Sequence, residues 1–299
     1  MEKCHNYFLI GLFLPSLLST SLSISTTNIT TDQSALLAVR AQFSIESRHI
    51  LTKNWSIGFS VCDWIGVTCG SRHHRVTALN ISNMDLGGLV PPQLGNLSFL
   101  VSLDMSINNF RGELPHELAR LRRLRVLNLG VNNLNGDLPP WLGSFHQLQY
   151  LTLMNNSFTG LIPPSISNMS KLISLRLRYN SLRDISNEVF NISSLEIIIL
   201  DRNSFAGSLP DYMCQHLQKL KLLSLSGNNL NGQIPSSFGQ CSQLQKLSLS
   251  YNKFTGVVPK EIGKLTELEV LYLGQNSLEG KIFILSQDFG CPCSFKHSY

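Results

Sequence analysis

A motif of about 24 residues recurs along most of this chain, and no other feature limits its fold as strongly. The clearest copy occupies residues 124–139 and follows the pattern LxxLxLxxNxLxGxxP. Its asparagine returns at intervals of 24, 24, 24, 23, 25, 24 and 24 residues. The eight residues in this phase are Asn108, Asn132, Asn156, Asn180, Asn203, Asn228, Asn252 and Asn276. Such self-similarity predicts one elongated array of coils.

Each copy of the motif places alternate leucines on one side of a short strand. Leu127 and Leu129 point into the interior and Asn128 points outward, because side chains alternate along an extended chain. The asparagine offers its amide to the backbone at the turn, where a buried group without a partner would cost about 1–3 kcal/mol. Gly136 permits a close approach of the backbone, and Pro139 fixes an extended return.

One copy of the motif cannot fold by itself. About six buried apolar side chains at roughly 2 kcal/mol each contribute ~12 kcal/mol, whereas ordering one unit of backbone costs on the order of 24–48 kcal/mol. Neighbouring coils must therefore share their faces. We expect an α/β protein, a right-handed leucine-rich-repeat solenoid with a concave parallel sheet, over residues 76–283. It holds about nine repeats, the last of them incomplete.

The first 24 residues predict a secretory signal peptide. Lys3 supplies the positive charge, residues 7–18 form an apolar stretch, and small Ser and Thr residues follow. This stretch is too short to span a bilayer comfortably, so cleavage is favoured over anchoring. We therefore expect a secreted chain.

N-x-S/T motifs agree with secretion and predict a glycoprotein. The candidate glycosylation sites are Asn28, Asn54, Asn80, Asn96, Asn155, Asn168 and Asn191. Asn96, Asn168 and Asn191 share one repeat position, on the side away from the sheet. Glycans on Asn80 and Asn155 would mask parts of the sheet instead.

Residues 25–75 predict an N-terminal cap that contains a helix and a disulfide. The helix begins near Asp32, with Thr31 or Asp32 as its N-cap. Cys62 and Cys69 are most simply a disulfide in a secreted chain, since no second pair of zinc ligands follows them. Trp55 and Trp64, we expect, cover the open end of the solenoid.

These N-terminal residues resemble the cap of plant leucine-rich-repeat receptor-like kinases. The resemblance is carried by ALL at 35–37, Trp55, CDWIGVTC at 62–69 and RVTAL at 75–79, followed by LxGxIP repeats; it covers about residues 31–282. The chain is most similar to the group that contains receptors for bacterial elicitors. The resemblance implies an ectodomain that recognises an extracellular peptide or protein on its concave face, together with a co-receptor ectodomain, in plant signalling or defence.

Several positions depart from the repeat pattern. Met84 replaces the first turn asparagine, and Asp184 replaces a glycine in a repeat that also lacks the proline. Cys214 and Cys241 fall on the convex half of neighbouring repeats, where a disulfide and two buried thiols fit equally well.

The pattern fails in the tail at 284–299. Cys291 and Cys293 are too close for an ordinary bridge to each other. The sequence contains no apolar run long enough to span a membrane and no kinase motif. We therefore expect an ectodomain that ends before the membrane and kinase segments. In a full-length receptor this ectodomain would lie on the outer face of the plasma membrane.

Composition and motifs argue against several functions. The formal charge is +5 with 14% charged residues, and we interpret Lys and Arg as scattered, so no nucleic-acid partner is expected. No GxSxG, HExxH or P-loop motif occurs. We therefore expect no enzyme activity, no cofactor and no metal site.

The candidate ligand-binding residues lie on the predicted concave face. Arg176 and Arg178 point the same way from one strand and, with Tyr179 and Arg202, form the most distinctive patch. The pair could clamp a carboxylate, similar to an Arg-x-Arg pair in some relatives; alternatively, Arg178 is neutralised by Asp201.

Two further residues and a second function complete the hypothesis. Tyr251 and Tyr272 are candidate aromatic contacts for a ligand. The alternative function is a secreted inhibitor of cell-wall-degrading enzymes that resembles the polygalacturonase inhibitors. Those inhibitors end in a cysteine-bearing cap, which the Cys291-Pro292-Cys293 segment matches poorly.

Overall fold

The computed structural model describes residues 28–44 and 50–279. The predicted signal peptide at 1–24 and the predicted tail at 284–299, with Cys291 and Cys293, lie outside the described residues.

The repeated LxL segments form a single ten-stranded sheet in chain order. Its strands are Val67–Cys69, Val76–Asn80, Ser102–Asp104, Val126–Asn128, Tyr150–Thr152, Ser174–Arg176, Ile197–Ile199, Leu222–Ser224, Lys246–Ser248 and Val270–Tyr272. From the second strand onward all pairs are parallel, and equivalent leucines such as Leu103, Leu127 and Leu151 lie opposite one another. This in-register stacking confirms the predicted solenoid.

Short strands after each turn form smaller sheets along one flank. They are Gly87–Leu89, Asn109–Gly112, Asn133–Asp137, Ser157–Thr159, Leu161–Ile162, Asp184–Ile185, Ala206–Gly207, Asn229–Gln233, Lys253–Val257 and Ser277–Glu279. The flank divides into two four-stranded sheets and, between them, one pair of two-residue strands. Asp184 lies in that pair, so the sheet is interrupted at the repeat that lacks glycine and proline.

Short helices form the convex side. Most are single 3₁₀ turns: Val61–Asp63, Pro92–Asn96, His116–Arg120, Pro140–Ser144, Pro164–Asn168, Asn187–Asn191, Ser236–Gln240 and Lys260–Lys264. The α-helices are Ile29–Arg40, Ile50–Asn54 and Met213–His216. Gly143 shows how closely these helices stack, because a Cβ there would lie 2.2 Å from the carbonyl oxygen of Ser165 on the next coil.

The turn asparagines connect each coil to its neighbour. Asn156 accepts a hydrogen bond from the backbone N–H of Leu134 (3.0 Å) and donates to the carbonyls of Leu129 (3.0 Å) and Leu153 (3.1 Å). The other seven turn asparagines make the same kind of contacts to the preceding coil. Each therefore satisfies backbone groups that the sheet leaves open.

The core is one continuous column of leucine and phenylalanine side chains. Leu127 and Leu129 are 1% exposed, and Phe110, Phe158 and Phe205 behind the turns are 0–1% exposed. The aliphatic residues that the motif predicts to be interior are therefore buried, and the array has no separate domain cores.

The start of the cap helix differs from the prediction. Its N-cap is Asn28, whose side chain accepts from the backbone N–H of Thr30 and Thr31. Asp32 is not a cap: it lies in the first turn, fully buried, and its carboxylate accepts hydrogen bonds at 2.7 and 2.8 Å from the guanidinium of Arg75. The carboxylate also accepts from the backbone N–H of Val76 at 2.9 Å. The prediction that Asp32 caps the helix was wrong, because its carboxylate binds Arg75 and the backbone of the strand that begins at Val76.

At the N-terminal end of the array, a strand of the cap pairs with the first parallel strand, and the two tryptophans belong to the same core cluster as the leucines. Val67–Cys69 pairs antiparallel with Val76–Asn80. Trp55 and Trp64 stack beneath, with ring centroids 5.5 Å apart, and both are almost fully buried. The tryptophans therefore fill the interior of the cap, and backbone pairing protects the edge.

Two disulfides are present among the described residues. Cys62 and Cys69 form the bridge that the sequence predicts. Cys214 and Cys241 form a second bridge between neighbouring convex coils, which the sequence left open.

Candidate functional site

The concave face ends in a row of residues with left-handed backbone, one before each turn asparagine and one before Met84, which takes the place of the first asparagine. Their φ angles lie between 51° and 69°. The row consists of Asn83, Ile107, Val131, Asn155, Tyr179, Arg202, Gly227, Tyr251 and Gln275. Most non-glycine residues disfavour this conformation. The stacked coils impose it, and it carries large side chains such as Tyr179 and Tyr251 to the rim of the concave face.

An open groove of about 650 Å³ lies on the C-terminal half of the concave face. Its lining residues are Arg178, Asp201, Arg202, Ser224, Ser226, Gly227, Lys246, Ser248, Ser250, Tyr251 and Tyr272. The groove crosses the strands that begin at Leu222, Lys246 and Val270. It therefore runs along the coil axis, across strands that lie about 4.8 Å apart.

At the N-terminal end of the groove, two of the lining arginines contact Tyr179, which is not itself a lining residue. The Arg178 guanidinium lies 4.5 Å from the centre of the Tyr179 ring and donates to its hydroxyl at 3.2 Å. The Arg202 guanidinium lies 5.3 Å from the same ring centre. Cation–π contacts hold both cations without neutralising them.

The structure separates Arg176 from Arg178. Arg176 is half-buried and its Nε donates to the hydroxyl of Ser174 at 3.1 Å, whereas Arg178 is exposed and lines the groove. Asp201 makes no ion pair with Arg178. Its carboxylate accepts instead from the hydroxyl of Ser224 and from the backbone N–H of Ser226. The predicted patch is therefore present around Arg178, Tyr179 and Arg202, and Arg176 lies outside the groove lining.

The C-terminal end of the groove contains the two other predicted residues. Tyr251 is 60% exposed and Tyr272 is half-buried. The Lys246 ammonium lies 5.7 Å from the centre of the Tyr272 ring. Serines line the groove between its two ends. The hydroxyl oxygens of Ser226 and Ser248 are 2.6 Å apart.

The charge balance of the groove is positive. Three cations line it, Arg178, Arg202 and Lys246, against the single carboxylate of Asp201. That carboxylate is 9% exposed and is already hydrogen-bonded. The free charge that a ligand meets is therefore cationic.

The candidate glycosylation sites are placed as the repeat phase predicts. Asn96, Asn168 and Asn191 are exposed at the last residue of convex 3₁₀ helices. Asn80 is the exposed last residue of a strand in the main sheet, and Asn155 lies in the left-handed row. Asn28 is exposed, and the side chain of Asn54 accepts a hydrogen bond from Ile65. Occupancy stays a prediction.

Sequence reasoning missed two components of the site. Lys246 occupies the first position of its strand, where alternation places it on the same outward face as Ser248, but nothing in the motif distinguishes it from the other outward residues. The left-handed row has no residue signature either, since it contains Ile107 and Val131 as well as Asn and Gly. A signal could have been found in the position directly before each turn asparagine.

The described part of the chain lacks two features. Residues 28–44 and 50–279 contain no group of three or more His, Cys, Asp or Glu side chains arranged to hold a metal ion. The same residues form no helix with the length and apolarity needed to cross a bilayer.

Family models match most of the described chain. The leucine rich repeat model matches residues 146–205, 193–254 and 234–278, and a second leucine rich repeat model matches residues 99–121 and 123–145. The leucine rich repeat N-terminal domain model matches residues 29–70.

Sequence relatives are plant receptor kinases. A probable LRR receptor-like serine/threonine-protein kinase of Arabidopsis thaliana is 46% identical over 80 residues, and the LRR receptor-like serine/threonine-protein kinase EFR of the same plant is 41% identical over 80 residues. Each alignment covers 27% of this chain and 8% of the relative. The matched segment is thus a small part of these longer proteins.

Solved structures show the same fold. The ectodomain of the Arabidopsis thaliana receptor kinase GASSHO1/SCHENGEN3, in complex with Casparian strip integrity factor 2, has a TM-score of 0.79 and 29% identity over 85% of this chain and 30% of that one. The Arabidopsis receptor kinase HAESA, in complex with the peptide hormone IDA and the co-receptor SERK1, has a TM-score of 0.67 and 27% identity over 83% of this chain and 46% of that one. Both similarities extend over most of the solenoid.

Proposed function

Because this chain belongs to the leucine-rich-repeat proteins and its relatives are plant receptor kinases, we propose that it is an extracellular recognition module that binds a peptide on its concave face. Its role is binding rather than catalysis. It acts in signalling or defence, either as part of a receptor or as a separate binding protein.

The charge of the groove is the observation that carries this proposal. Arg178 and Arg202 are exposed and held at one ring, and neither makes an ion pair among the described residues. Guanidinium groups bind carboxylates with strong, charge-assisted hydrogen bonds. A peptide carboxylate, at the C-terminus or on an acidic side chain, fits these two guanidinium groups.

The remainder of the groove suits an extended backbone. From the coil of Arg178 to the coil of Tyr272 there are four steps along the sheet, roughly 19 Å in total, which about six extended residues would span. The lining serines offer hydroxyls to backbone groups, and Tyr251 and Tyr272 offer ring surfaces to side chains.

The solved relatives support the peptide and co-receptor parts of the proposal. One of them was crystallised with a peptide hormone and a co-receptor. The two disulfides support an extracellular location, since such bonds persist in oxidising compartments. A co-receptor ectodomain is proposed as a second partner on the same analogy.

A library of synthetic hexapeptides tests this function directly. Peptides selected on the purified chain are resynthesised with a free or an amidated C-terminus and with Asp and Glu replaced by Asn and Gln. We expect removal of one carboxylate to weaken binding about tenfold or more, because each guanidinium–carboxylate contact is charge-assisted. The Arg178→Ala/Arg202→Ala variant should lose the same factor.

A matched control removes two arginines from the flank instead. Arg111 and Arg183 are exposed and lie outside the groove, so Arg111→Ala/Arg183→Ala should bind the selected peptides as tightly as the unchanged chain. Equal affinity for the neutral peptides, or equal losses in both variants, would contradict the proposal. Potent inhibition of a fungal polygalacturonase by the chain would favour the inhibitor function instead.

A further inference from the structure

A ladder of two-residue turns forms one lateral edge of the solenoid, between the convex helices and the main sheet. Its steps are Ser98-Phe99, Arg122-Arg123, His146-Gln147, Ser170-Lys171, Ser193-Ser194, Gln218-Lys219, Ser242-Gln243 and Thr266-Glu267. Successive coils are about 4.8 Å apart at the sheet. Side chains at equivalent positions of this edge therefore form a row along the coil axis.

Four arginines are concentrated on one coil of this edge. Arg120, Arg122, Arg123 and Arg125 lie within six residues, and all four are exposed. None of them makes an ion pair with a carboxylate among the described residues. Basic residues are thus less evenly scattered than the sequence analysis assumed, and the edge carries a dense positive charge.

Contacts of the protein hold two of these arginines in place. The Arg123 guanidinium lies 4.0 Å from the centre of the Phe99 ring, and the Arg75 guanidinium lies 4.4 Å from the same centre. Arg122 donates from Nη1 to the carbonyl of Ser144 on the next coil at 3.3 Å. These contacts reduce the conformational entropy that the side chains would lose on binding a ligand.

Further basic residues lie on the neighbouring coils. Arg72, His73 and His74 are exposed in the loop before the second strand, and the His73 ring lies 6.0 Å from the Phe99 ring. On the other side, His146 and Lys171 occupy the next two steps and are exposed. The last step carries a carboxylate, Glu267, so the two ends of the edge differ in sign.

We propose that this basic edge, from the loop at Arg72 to Lys171, binds a linear polyanion of the acidic-polysaccharide class, with a carboxylate on each sugar. The four arginines on one coil, with Arg72 before them and Lys171 two coils further on, offer closely spaced cations to a chain that carries repeated anions. The aromatic ring on it, Phe99, is half-buried under Arg123, which argues against insertion into a membrane.

This edge is separate from the concave groove. None of Arg120, Arg122, Arg123 and Arg125 lines the groove, so a polysaccharide on the edge leaves the concave groove open. One chain could therefore be held at a polyanionic matrix while its concave face remains available. The inference does not depend on whether a peptide binds in the groove.

Binding of polygalacturonate to the purified chain tests the inference. We expect saturable binding that weakens as NaCl is raised, since the contacts are between exposed charges. Fully methyl-esterified polygalacturonate lacks the carboxylates and should not bind. The Arg122→Gln/Arg123→Gln/Arg125→Gln variant should bind about tenfold or more weakly.

The matched control removes the same charge elsewhere. Lys253, Lys260 and Lys264 are exposed near the C-terminal end of the described array, so Lys253→Gln/Lys260→Gln/Lys264→Gln should retain the affinity. If thermal unfolding shows that the arginine variant is destabilised, Arg122→Gln/Arg125→Gln keeps the Arg123–Phe99 contact and should still lose most of the affinity.

Four outcomes would overturn the inference. They are equal losses in the arginine and lysine variants, equal binding of the esterified polymer, tighter binding to vesicles that contain phosphatidylserine, and tighter binding to single-stranded RNA. The first two remove the site, and the last two assign it to another class of ligand.

Discussion

The N-terminal cap and the repeat array hold themselves together in different ways. The cap uses contacts that occur once: the buried Asp32–Arg75 ion pair and the stacked pair Trp55–Trp64. The array uses one contact many times, the turn asparagine that bonds the backbone of the preceding coil. In the cap a single substitution removes a unique contact, whereas in the array it removes one of eight similar ones.

This difference also determines which side chains can vary without loss of the fold. Repeated contacts fix the positions of the strands, so the outward side chains between them are free to vary without loss of the fold. The groove around Arg178, Tyr179 and Tyr251 is built from such variable positions. The cap has less such freedom, since the charged and aromatic residues that hold it together, Asp32, Arg75, Trp55 and Trp64, are buried.

Replacement of Asp32 by Ala should give the largest loss of stability. It leaves the buried Arg75 guanidinium without its carboxylate, which costs about 3–5 kcal/mol for a broken buried pair. Urea unfolding measures the change. Glu196→Gln is the control because it breaks the exposed Lys221–Glu196 pair, and exposed pairs contribute ~0–1 kcal/mol. Similar losses in both variants would show that burial of the cap pair is unimportant.

Removal of the Cys214–Cys241 disulfide in the array should lower the free energy of unfolding more than removal of the Cys62–Cys69 disulfide in the cap. In the chain-entropy model, the 27-residue separation of Cys214–Cys241 gives about 3.5 kcal/mol and the 7-residue separation of Cys62–Cys69 about 2.5 kcal/mol. We expect the Cys214→Ala/Cys241→Ala variant to have the lower urea midpoint of the two double variants. The reverse order would mean that the cap bridge acts through native contacts.

The smallest expected effect, of opposite sign, concerns the left-handed row. Ile107 has φ 56° and is 51% exposed. Asn tolerates this conformation better than a β-branched residue, so Ile107→Asn should raise the free energy of unfolding by about 1 kcal/mol. Ile57→Asn is the control, since Ile57 is 82% exposed and is not left-handed. A loss of stability in Ile107→Asn would indicate that its apolar contacts outweigh the strain.

Sequence alone predicted the array well because each coil repeats the same local rule. Leu127, Leu129 and Phe158 are buried as the motif requires, and Asn156 bonds the backbone at its turn. A prediction of burial or of a turn contact that holds at one coil also holds at the others, because neighbouring coils supply equivalent environments.

The cap and the groove were less predictable because they depend on contacts between distant residues. Asp32 and Arg75 are 43 residues apart, and a short-range pattern indicated only a helix cap for Asp32. Likewise, Lys246 reaches the groove through the stacking of coils, and Arg176 lies outside it although its strand position is equivalent to that of Ser248. Arg176 lies three coils before Ser248, so position along the coil axis, and not strand position alone, decides which residues line the groove.

Hydrogen exchange at one amide tests most directly the claim that turn asparagines join neighbouring coils. The Leu134 N–H is bonded to Asn156 of the next coil. Asn156→Ala should therefore lower its protection by about 1–3 kcal/mol. Asn135→Ala, an exposed substitution beside Leu134, should leave that protection unchanged. Unchanged protection of Leu134 in Asn156→Ala would contradict the account.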